Sequence, residues 1–260
     1  MNWLEAAILG AIQGLTEFLP VSSTGHLFLG RHFFGLDEAG LFLDTMLHLG
    51  TLIALIVIYW TDLLAIARKP LGSLGILLII GTLPAIVIGL TFRDFFEEIS
   101  KTGVTIGWEF IATGLILWYS DNLKEKGFKK VNDISYADAL FIGTFQGLAI
   151  LPAISRSGLT IAAALIRKVN KETAAYFSFL LSIPAIAGAV LLQSFELFEG
   201  QRELIPLSSL LIGTVMSGIF GYLAIKWMIS ILKRGSLKVF SVYVLLLGAI
   251  VLIAQLTGYF

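Results

Sequence analysis

The sequence contains no cysteine and little charge. The absence of cysteine excludes disulfide bonds, thiolate metal sites and cysteine nucleophiles. Charged residues make up only 14% of the 260 residues, and the formal net charge is zero, so bulk electrostatics give no case for nucleic-acid binding. Residues 1–5 lack the basic region of a secretory signal peptide, and we therefore expect no cleavable signal.

Long apolar stretches dominate the chain instead. Hydrophobic residues make up 57% of the sequence and the mean hydropathy is +0.89, far from the composition of a typical soluble domain. A helix needs roughly 20 apolar residues to cross the bilayer core. We predict an all-α polytopic membrane protein with six transmembrane helices, at about residues 41–60, 72–92, 104–120, 174–193, 207–232 and 237–259.

Two further apolar regions, residues 3–34 and 136–166, are each interrupted midway by a proline and a polar turn. Each half is too short to span the membrane easily, and irregular backbone is tolerated at membrane depth only where protein or water surrounds it. We therefore predict two re-entrant helical hairpins. With the six spans they form a single integral membrane domain over residues 1–260.

The two hairpins repeat one sequence pattern. A Gly-x-x-Gln-Gly-Leu segment is followed by a proline and then by a turn of small polar residues, at residues 10–15, 20 and 22–25 in the first hairpin and 143–148, 152 and 155–158 in the second. The glycines have the small-xxx-small spacing that favours close helix packing. We predict an internal repeat with halves at about residues 1–120 and 136–260.

The repeat is predicted to have inverted topology. Three spans separate the hairpins, so the second must enter from the opposite membrane face, and the two polar turns then meet near mid-membrane. Loops on one face carry twelve Lys and Arg residues and loops on the other carry four, which places the first face in the cytoplasm and both termini outside. The twelve are Arg68, Lys69, Lys124, Lys126, Lys129, Lys130, Arg167, Lys168, Lys171, Lys233, Arg234 and Lys238; the four are Arg31, Arg93, Lys101 and Arg202.

Residues 13–26 form the strongest candidate site. A carboxylate at bilayer depth costs at least about 2.5–3.5 kcal/mol, so Glu17 is a functional candidate, and Gln13 lies four residues earlier on the same helical face. Hydroxyl and imidazole groups follow at the start of the next helix, whose backbone amides favour an anion. They are Ser22, Ser23, Thr24 and His26.

The second polar turn contributes a cation. Arg156 stays charged, and its guanidinium binds phosphate in a bidentate geometry beside the hydroxyls of Ser155, Ser157 and Thr160. Opposite Glu17, this set predicts a site that binds a phosphate and moves protons, and the apolar surroundings imply that the rest of the ligand is lipid. One carboxylate plus phosphate oxygens also suits Mg²⁺, which makes Glu17 the candidate metal ligand.

Three other embedded polar residues have less certain roles. Asp44 and His48 lie four residues apart, so they either pair on the helix surface or face the site, and the pattern slightly favours the structural pair. Glu109 lies early in its predicted span, which suits a place at the membrane interface.

The stretch Q-G-L-T-E-F-L-P-V-S-S-T-G-H at residues 13–26 resembles the first signature of the undecaprenyl-diphosphate phosphatase family, also called bacitracin-resistance proteins, in which the first position is Glu or Gln. The second signature of that family is usually P-G-x-S-R-S-G-x-T, and residues 152–160 read P-A-I-S-R-S-G-L-T. Length and span pattern also match, so the resemblance covers essentially the whole chain.

The resemblance implies a hydrolase that converts a polyprenyl diphosphate to the monophosphate and inorganic phosphate, regenerating the lipid carrier of cell-wall and surface-glycan precursors. By motif position it assigns Glu17 and Gln13 to an acidic pair, Ser23 and His26 to the nucleophile or base, and Arg156 to the phosphate clamp. It also implies a divalent cation, Mg²⁺ or Ca²⁺. The remaining hydroxyls would line the substrate pocket: Ser22, Thr24, Ser155, Ser157 and Thr160.

Two residues depart from the family pattern. Gln13 carries no charge, which puts a two-carboxylate metal mechanism in doubt unless Asp44 contributes. Ala153 replaces the usual glycine, which restricts the turn to negative φ or imposes strain. Neither change removes the phosphate site.

Several alternatives stay open at this stage. The nucleophile is Ser23, His26 or a water, and the sequence does not choose among them. The type-2 phosphatidic-acid phosphatase class has an S-G-H element that resembles residues 23–26, but it also needs a late S-R-x5-H element. No histidine follows His48, so this class is rejected. A polyprenyl-phosphate flippase or anion transporter would suit the same inverted repeat. In a bacterium the resemblance implies undecaprenyl diphosphate; an archaeal source would imply a different polyprenyl or dolichyl carrier. A homodimer is also possible.

Overall fold

The computed structural model describes residues 1–36, 41–123, 127–198 and 205–258. Apart from a single β-bridge between Lys129 and Val169 and a short 3₁₀ helix at Val131–Asp133, the regular structure of these residues is α-helical. The helices are α1 (Trp3–Phe18), α2 (Ser23–Phe33), α3 (Leu41–Ile58), α4 (Trp60–Arg68), α5 (Ser73–Thr91), α6 (Arg93–Thr102), α7 (Ile106–Asp121), α8 (Tyr136–Leu148), α9 (Arg156–Ile166), α10 (Lys171–Phe198), α11 (Leu207–Arg234) and α12 (Lys238–Leu256).

Among the described residues, four helices have the length and hydropathy to cross a membrane, over Ser73–Thr91, Lys171–Phe195, Leu207–Lys233 and Lys238–Leu256. These match four of the six predicted spans, and the chain is a multi-pass membrane protein. The predicted span at 41–60 ends in a 78° bend between α3 and α4, so it counts as a fifth span only if the bent pair crosses as one. The predicted span at 104–120 contains α7, whose 16 residues fall short of the usual length.

The first hairpin consists of α1 and α2. Asn2 caps α1, and its side chain forms a capping box with Glu5. The helix ends at Phe18 because Pro20 cannot continue it, and α2 begins at Ser23 with Ser22 as its N-cap. We call residues 19–25 the first elbow.

The second hairpin has the same plan. Ser135 caps α8 through a capping box with Asp138, and the helix ends at Leu148, four residues before Pro152. Ser155 then caps α9, which begins at Arg156. We call residues 152–158 the second elbow.

The first helix of each hairpin packs against a long helix of the other half of the chain: α1 lies along α11, and α8 lies along α5. Glycines make this close approach possible. A Cβ atom on Gly10 would lie 2.2 Å from the Gly213 carbonyl oxygen, and one on Gly143 would lie 2.2 Å from the Gly81 carbonyl oxygen. The packing role predicted for these glycines is confirmed.

Some sequence predictions fall outside the described residues. Lys124, Lys126 and Arg202, which entered the charge count, belong to this group, as does the end of the last predicted span at residue 259.

Candidate active site

The two elbows are in direct contact. Glu17, in the last turn of α1, forms an ion pair with Arg156, the first residue of α9, across 139 residues of sequence. The Ser157 hydroxyl donates to the Leu19 carbonyl at 3.0 Å, and the Ser22 hydroxyl donates to the Pro152 carbonyl at 3.3 Å. The repeat predicted that the two polar turns meet, and an ion pair and two hydrogen bonds join them in the structure.

Glu17 is the centre of this contact. Its side chain is buried, with 7% of the residue exposed. Ser23 Oγ donates to Glu17 Oε2 at 2.5 Å, and Gln13 Nε2 donates to the same oxygen at 3.0 Å. Arg156 Nη2 donates to the other oxygen, Oε1. Three groups therefore donate to this buried carboxylate, and one of them, Arg156, carries the compensating positive charge.

His48 also faces this carboxylate. Its Nε2 lies 3.7 Å from Glu17 Oε2, and its Nδ1 lies 2.7 Å from the Asp44 carbonyl oxygen. Asp44 itself pairs with Arg31 at 2.7 Å. The surface pair between Asp44 and His48 that the sequence slightly favoured is therefore wrong, since Asp44 pairs with Arg31 and His48 faces the site. The four-residue spacing of Asp44 and His48 could not distinguish a surface pair from side chains that face the site, because the outcome depends on which helices pack against α3.

His26 lies to one side of the carboxylate. Its Nδ1 is 2.6 Å from the Ser22 carbonyl oxygen, and its Nε2 is 2.7 Å from the hydroxyl of Tyr243 on α12. Both ring nitrogens are thus bonded to groups other than Glu17. The sequence could not reveal Tyr243, since it lies 217 residues further on in an apolar helix.

The first elbow is locally strained. Ser22 has a φ of +70°, which is unusual for a residue other than glycine. Its hydroxyl accepts from the Gly25 N–H at 3.3 Å and its carbonyl binds His26, so side-chain and backbone bonds compensate for the strain. Thr24 is partly exposed. Backbone strain of this kind is concentrated at functional sites, where it fixes the direction of neighbouring groups.

The hydroxyls of the second elbow mostly serve the protein itself. Ser155 Oγ accepts from the Gly158 N–H at 3.1 Å and lies 3.3 Å from Ser157 Oγ. Thr160 Oγ1 donates to the Arg156 carbonyl at 2.8 Å and lies 2.6 Å from Ser178 Oγ on α10. The structure therefore places Ser155, Ser157 and Thr160 as supports of Arg156.

Two buried polar atoms of the site have no partner among the described residues. They are Arg156 Nη1 and Gln13 Oε1. Since buried polar atoms are rarely left unpaired, these two mark where a ligand would bond. An unpaired guanidinium N–H suits a phosphate oxygen, and an amide oxygen suits a cation.

The donor set is compatible with a cation that substrate oxygens help to hold. Within the described residues no group of three Asp, Glu or His side chains gathers to hold a metal. Glu17 and Gln13 together offer one carboxylate and one unpaired amide oxygen. Mg²⁺ commonly binds in this way, through one or two protein ligands with phosphate oxygens and waters completing the shell.

An apolar groove leads away from the first elbow. It has a volume of about 440 Å³ and lies between α1 and α2, with His26 among its lining residues. The rest of its lining is almost entirely apolar: Ile8, Ile12, Leu15, Thr16, Leu29, Gly30, Phe33 and Phe34. The groove meets the site at His26, and an apolar groove beside a polar site suits an amphiphilic ligand.

Comparison with known proteins agrees with this geometry. A family model described as bacitracin resistance protein BacA matches residues 6–250. The chain belongs to this family. It is 61% identical to the undecaprenyl-diphosphatase 3 of Bacillus cereus over 260 residues, the full length of both chains. It is 51% identical to the undecaprenyl-diphosphatase of Carboxydothermus hydrogenoformans over the full length of both, and 41% identical to that of Desulfatibacillum aliphaticivorans over 98% of this chain and 99% of the relative. These names do not favour the transport alternative.

The two departures from the usual bacitracin-resistance signatures are accommodated. Gln13 donates to Glu17, so its amide takes a place beside the carboxylate. Ala153 does not have a positive φ, so the turn imposes no strain on it. Its N–H donates to Oε2 of Glu109 at 2.5 Å. Glu109 is 5% exposed and touches the second elbow, so its side chain is enclosed by protein, while its place at the membrane interface stays a prediction.

Proposed function

We propose that this protein is a membrane-embedded phosphatase that hydrolyses undecaprenyl diphosphate to undecaprenyl phosphate and inorganic phosphate. The reaction recycles the lipid carrier used in cell-wall and surface-glycan synthesis. Full-length relatives named undecaprenyl-diphosphatase support the substrate. The observation that carries the chemistry is the pairing of Glu17 with Ser23 and Arg156 where the two elbows meet.

Arg156 binds the terminal phosphate in this mechanism. Its Nη1 is unpaired and buried, while Nη2 is held by Glu17, so the guanidinium is fixed in direction and retains a free donor. Guanidinium donors aimed at phosphoryl oxygens stabilise the charge that builds up during transfer. The apolar groove beside His26 receives the prenyl chain next to the diphosphate.

Ser23 is the nucleophile that the geometry supports best. Its hydroxyl already donates to Glu17 Oε2 at 2.5 Å, so the carboxylate can take the proton as Oγ attacks the terminal phosphorus. The bond from that phosphorus to the bridging oxygen breaks, and undecaprenyl phosphate leaves. Water then cleaves the phosphoserine, which restores the Ser23 hydroxyl and releases inorganic phosphate. His48, 3.7 Å from the same carboxylate oxygen, lies where it can receive a proton from Glu17.

His26 is assigned a supporting role. Its Nδ1–H donates to the Ser22 carbonyl and its Nε2 accepts from Tyr243, so the ring braces the strained elbow against α12. Ser22 and Thr24 complete the polar wall next to Ser23.

Glu17 and Gln13 would hold a divalent cation, Mg²⁺ or Ca²⁺, together with oxygens of the substrate. Such an ion supplies positive charge that neutralises the diphosphate and makes its terminal phosphorus easier to attack. Gln13 binds it more weakly than a second carboxylate would, since an amide oxygen carries no net charge.

The membrane arrangement belongs to the same proposal. Six spans and two re-entrant hairpins, in two halves of inverted topology, place both termini and the mouth of the first hairpin outside, with the basic loops in the cytoplasm. Reciprocal packing of α1 on α11 and α8 on α5 supports the repeat. Phosphate would then be released on the outer face.

The deciding experiment measures phosphate release from undecaprenyl diphosphate by the purified protein in detergent. Detergent removes the two membrane faces, so a pure transporter would release nothing. We expect release by the wild-type protein, a loss of at least about 10³-fold in Arg156→Ala, and loss with EDTA that Mg²⁺ or Ca²⁺ restores. No release from this substrate or from a shorter prenyl diphosphate would overturn the phosphatase, and release unaffected by EDTA would overturn the cation.

A further inference from the structure

Helix α7 supplies two acceptors to the backbone of the second elbow. Glu109 Oε2 accepts from the Ala153 N–H at 2.5 Å. One turn further along, Thr113 Oγ1 accepts from the Ser155 N–H at 3.2 Å. Glu109 is 5% exposed and Thr113 is fully buried. These N–H groups lie just before α9. Two side chains of a single helix therefore form hydrogen bonds with the backbone segment that leads into Arg156.

The same helix also touches the first elbow. The Phe110 ring is fully buried and meets the His26 ring edge-to-face, with centroids 5.4 Å apart. It lies so close to Gly25 that a Cβ atom there would be 2.6 Å from the tip of the ring. Consecutive residues of α7, Glu109 and Phe110, thus contact opposite sides of the site.

Burial of a carboxylate in this helix needs an explanation. An ionisable side chain at membrane depth is costly, and an apolar residue would pack α7 equally well. Glu109 instead directs one oxygen at the Ala153 N–H, while its other oxygen, Oε1, is buried and without a partner among the described atoms. The elbow N–H is therefore the contact that accounts for the carboxylate.

We propose that Glu109 is a positioning residue of the phosphatase site. Acting through Ala153, and together with Thr113, it fixes the backbone three residues before Arg156 and so sets the direction in which the guanidinium meets Glu17 and the phosphate. This inference rests on the proposed function. It adds α7 to the elements that build the site and gives that helix a task beyond packing.

The test compares two replacements of Glu109 with a matched control. Glu109→Gln keeps a side-chain oxygen that can accept from Ala153, whereas Glu109→Met keeps the length and removes the acceptor. Thr113→Val removes the second acceptor. Ser120→Ala is the control, since Ser120 is equally buried on α7 but bonds only to the Leu117 carbonyl of its own helix. Measurements are kcat and KM for phosphate release from undecaprenyl diphosphate, binding of inorganic phosphate by calorimetry, and thermal unfolding in detergent.

We expect Glu109→Met to lower kcat/KM at least about tenfold and to weaken phosphate binding, with Glu109→Gln restoring both to within about threefold of the wild type. Thr113→Val should lower kcat/KM about threefold or more, and Ser120→Ala should leave it unchanged. The inference is overturned if Glu109→Met stays within threefold, or if Glu109→Gln is folded and as impaired as Glu109→Met. Should Glu109→Met not fold, an unimpaired Thr113→Val overturns it.

Failure of the proposed function would look different. In that case the wild-type protein itself would release no phosphate from prenyl diphosphates. Binding of inorganic phosphate then becomes the measurement. The positioning role is overturned as well if the wild type binds no phosphate, or if Glu109→Met and Glu109→Gln bind it equally well.

Discussion

The two elbows carry the same sequence pattern but use it differently. In the first elbow, the Ser23 hydroxyl bonds to the Glu17 carboxylate, where it is available for chemistry. In the second elbow, the Ser155 hydroxyl caps α9 and the Ser157 hydroxyl donates to the Leu19 carbonyl. Only Arg156 is left to face the site. Under the proposed mechanism, the first hairpin is therefore the reactive half of the repeat and the second hairpin is the half that clamps the phosphate.

The helix before each elbow shows the same division. Gln13 and Gln146 occupy matching positions of the repeat, and both are buried. Four residues later the first hairpin has Glu17, in the last turn of α1, and the second has Ile150, just beyond the end of α8. Gln13 bonds to its carboxylate, whereas neither amide atom of Gln146 has a partner among the described residues. The second hairpin therefore keeps the buried glutamine but lacks the carboxylate.

Among the variants that distinguish the two hairpins, Glu17→Gln should cause the largest loss of activity. The amide cannot take the Ser23 proton and does not pair with Arg156 as a charge, so we expect kcat for phosphate release to fall about 10³-fold. The matched control is Ile150→Gln, which adds an amide at the equivalent position of the second hairpin and should keep kcat within about threefold. Equal losses in both variants would contradict the assignment of proton transfer to the first hairpin.

Replacement of one serine in each elbow separates chemistry from support. Ser23→Ala should lower kcat about 10²-fold or more with little change in thermal stability, because its hydroxyl is the proposed nucleophile. Ser157→Ala should lower stability by about 1 kcal/mol through its lost bond to Leu19, with a loss of kcat below about tenfold. Phosphate release and thermal unfolding are measured on both. A fully active Ser23→Ala would move the nucleophile to water or to His26.

The sequence predicted most of the fold because hydrophobicity and chain breakers determine it. Proline and capping residues ended and started the hairpin helices where expected, and four long apolar stretches became long helices. Helix α6 and the bend before α4 were not predicted. A bend is set by tertiary packing, which leaves no periodic trace in the sequence.

The site was predictable only where its residues are neighbours in sequence or matched by the repeat. Gln13, Glu17 and Ser23 lie within one short segment, and Arg156 stands at the repeat's equivalent turn. The contribution of Tyr243 depends on how α12 packs, and such long-range contacts of single polar residues carry no local signature. His48 and Glu109 were noticed as embedded polar groups, but their partners could be identified only from the structure.

Matched replacements of Gln13 and Gln146 test whether only the first hairpin binds the cation. Gln13→Glu places a second carboxylate beside Glu17, and we expect the Mg²⁺ or Ca²⁺ concentration for half-maximal activation to fall about tenfold. Gln146→Glu should leave that concentration unchanged and destabilise the protein, since it buries a charge without a partner. Phosphate release is measured against free cation concentration. An unchanged half-maximal concentration in Gln13→Glu would show that the cation does not contact residue 13.

A carboxylate outside the site gives the smallest expected effect. Asp121, at the end of α7, accepts from Lys171 Nζ at 2.9 Å, from the Leu237 N–H at 3.1 Å and from the Ser236 hydroxyl. Burial raises the pKa of Asp121, but hydrogen bonds from Ser236, Lys171 and Leu237 outweigh burial, so the net pKa lies below the ordinary value of 3.8. It thus ties together the starts of α10 and α12 in the half of the chain that carries Arg156.

Asp121→Asn tests whether the contacts of Asp121 stabilise the fold without affecting phosphate release. A carboxyl whose pKa is lowered by folding stabilises the protein fully above its unfolded pKa and loses that contribution as the pH falls through the folded value. We therefore expect the variant to be less stable than the wild type by about 2 kcal/mol at pH 7, with the difference shrinking below pH 4, while kcat stays within about twofold. Unfolding curves in detergent at several pH values measure the difference. Because Glu17 and Asp121 are both carboxylates paired with a cation, a large loss of kcat here would mean that the ends of α7, α10 and α12 near Asp121 help to set the geometry of the elbows.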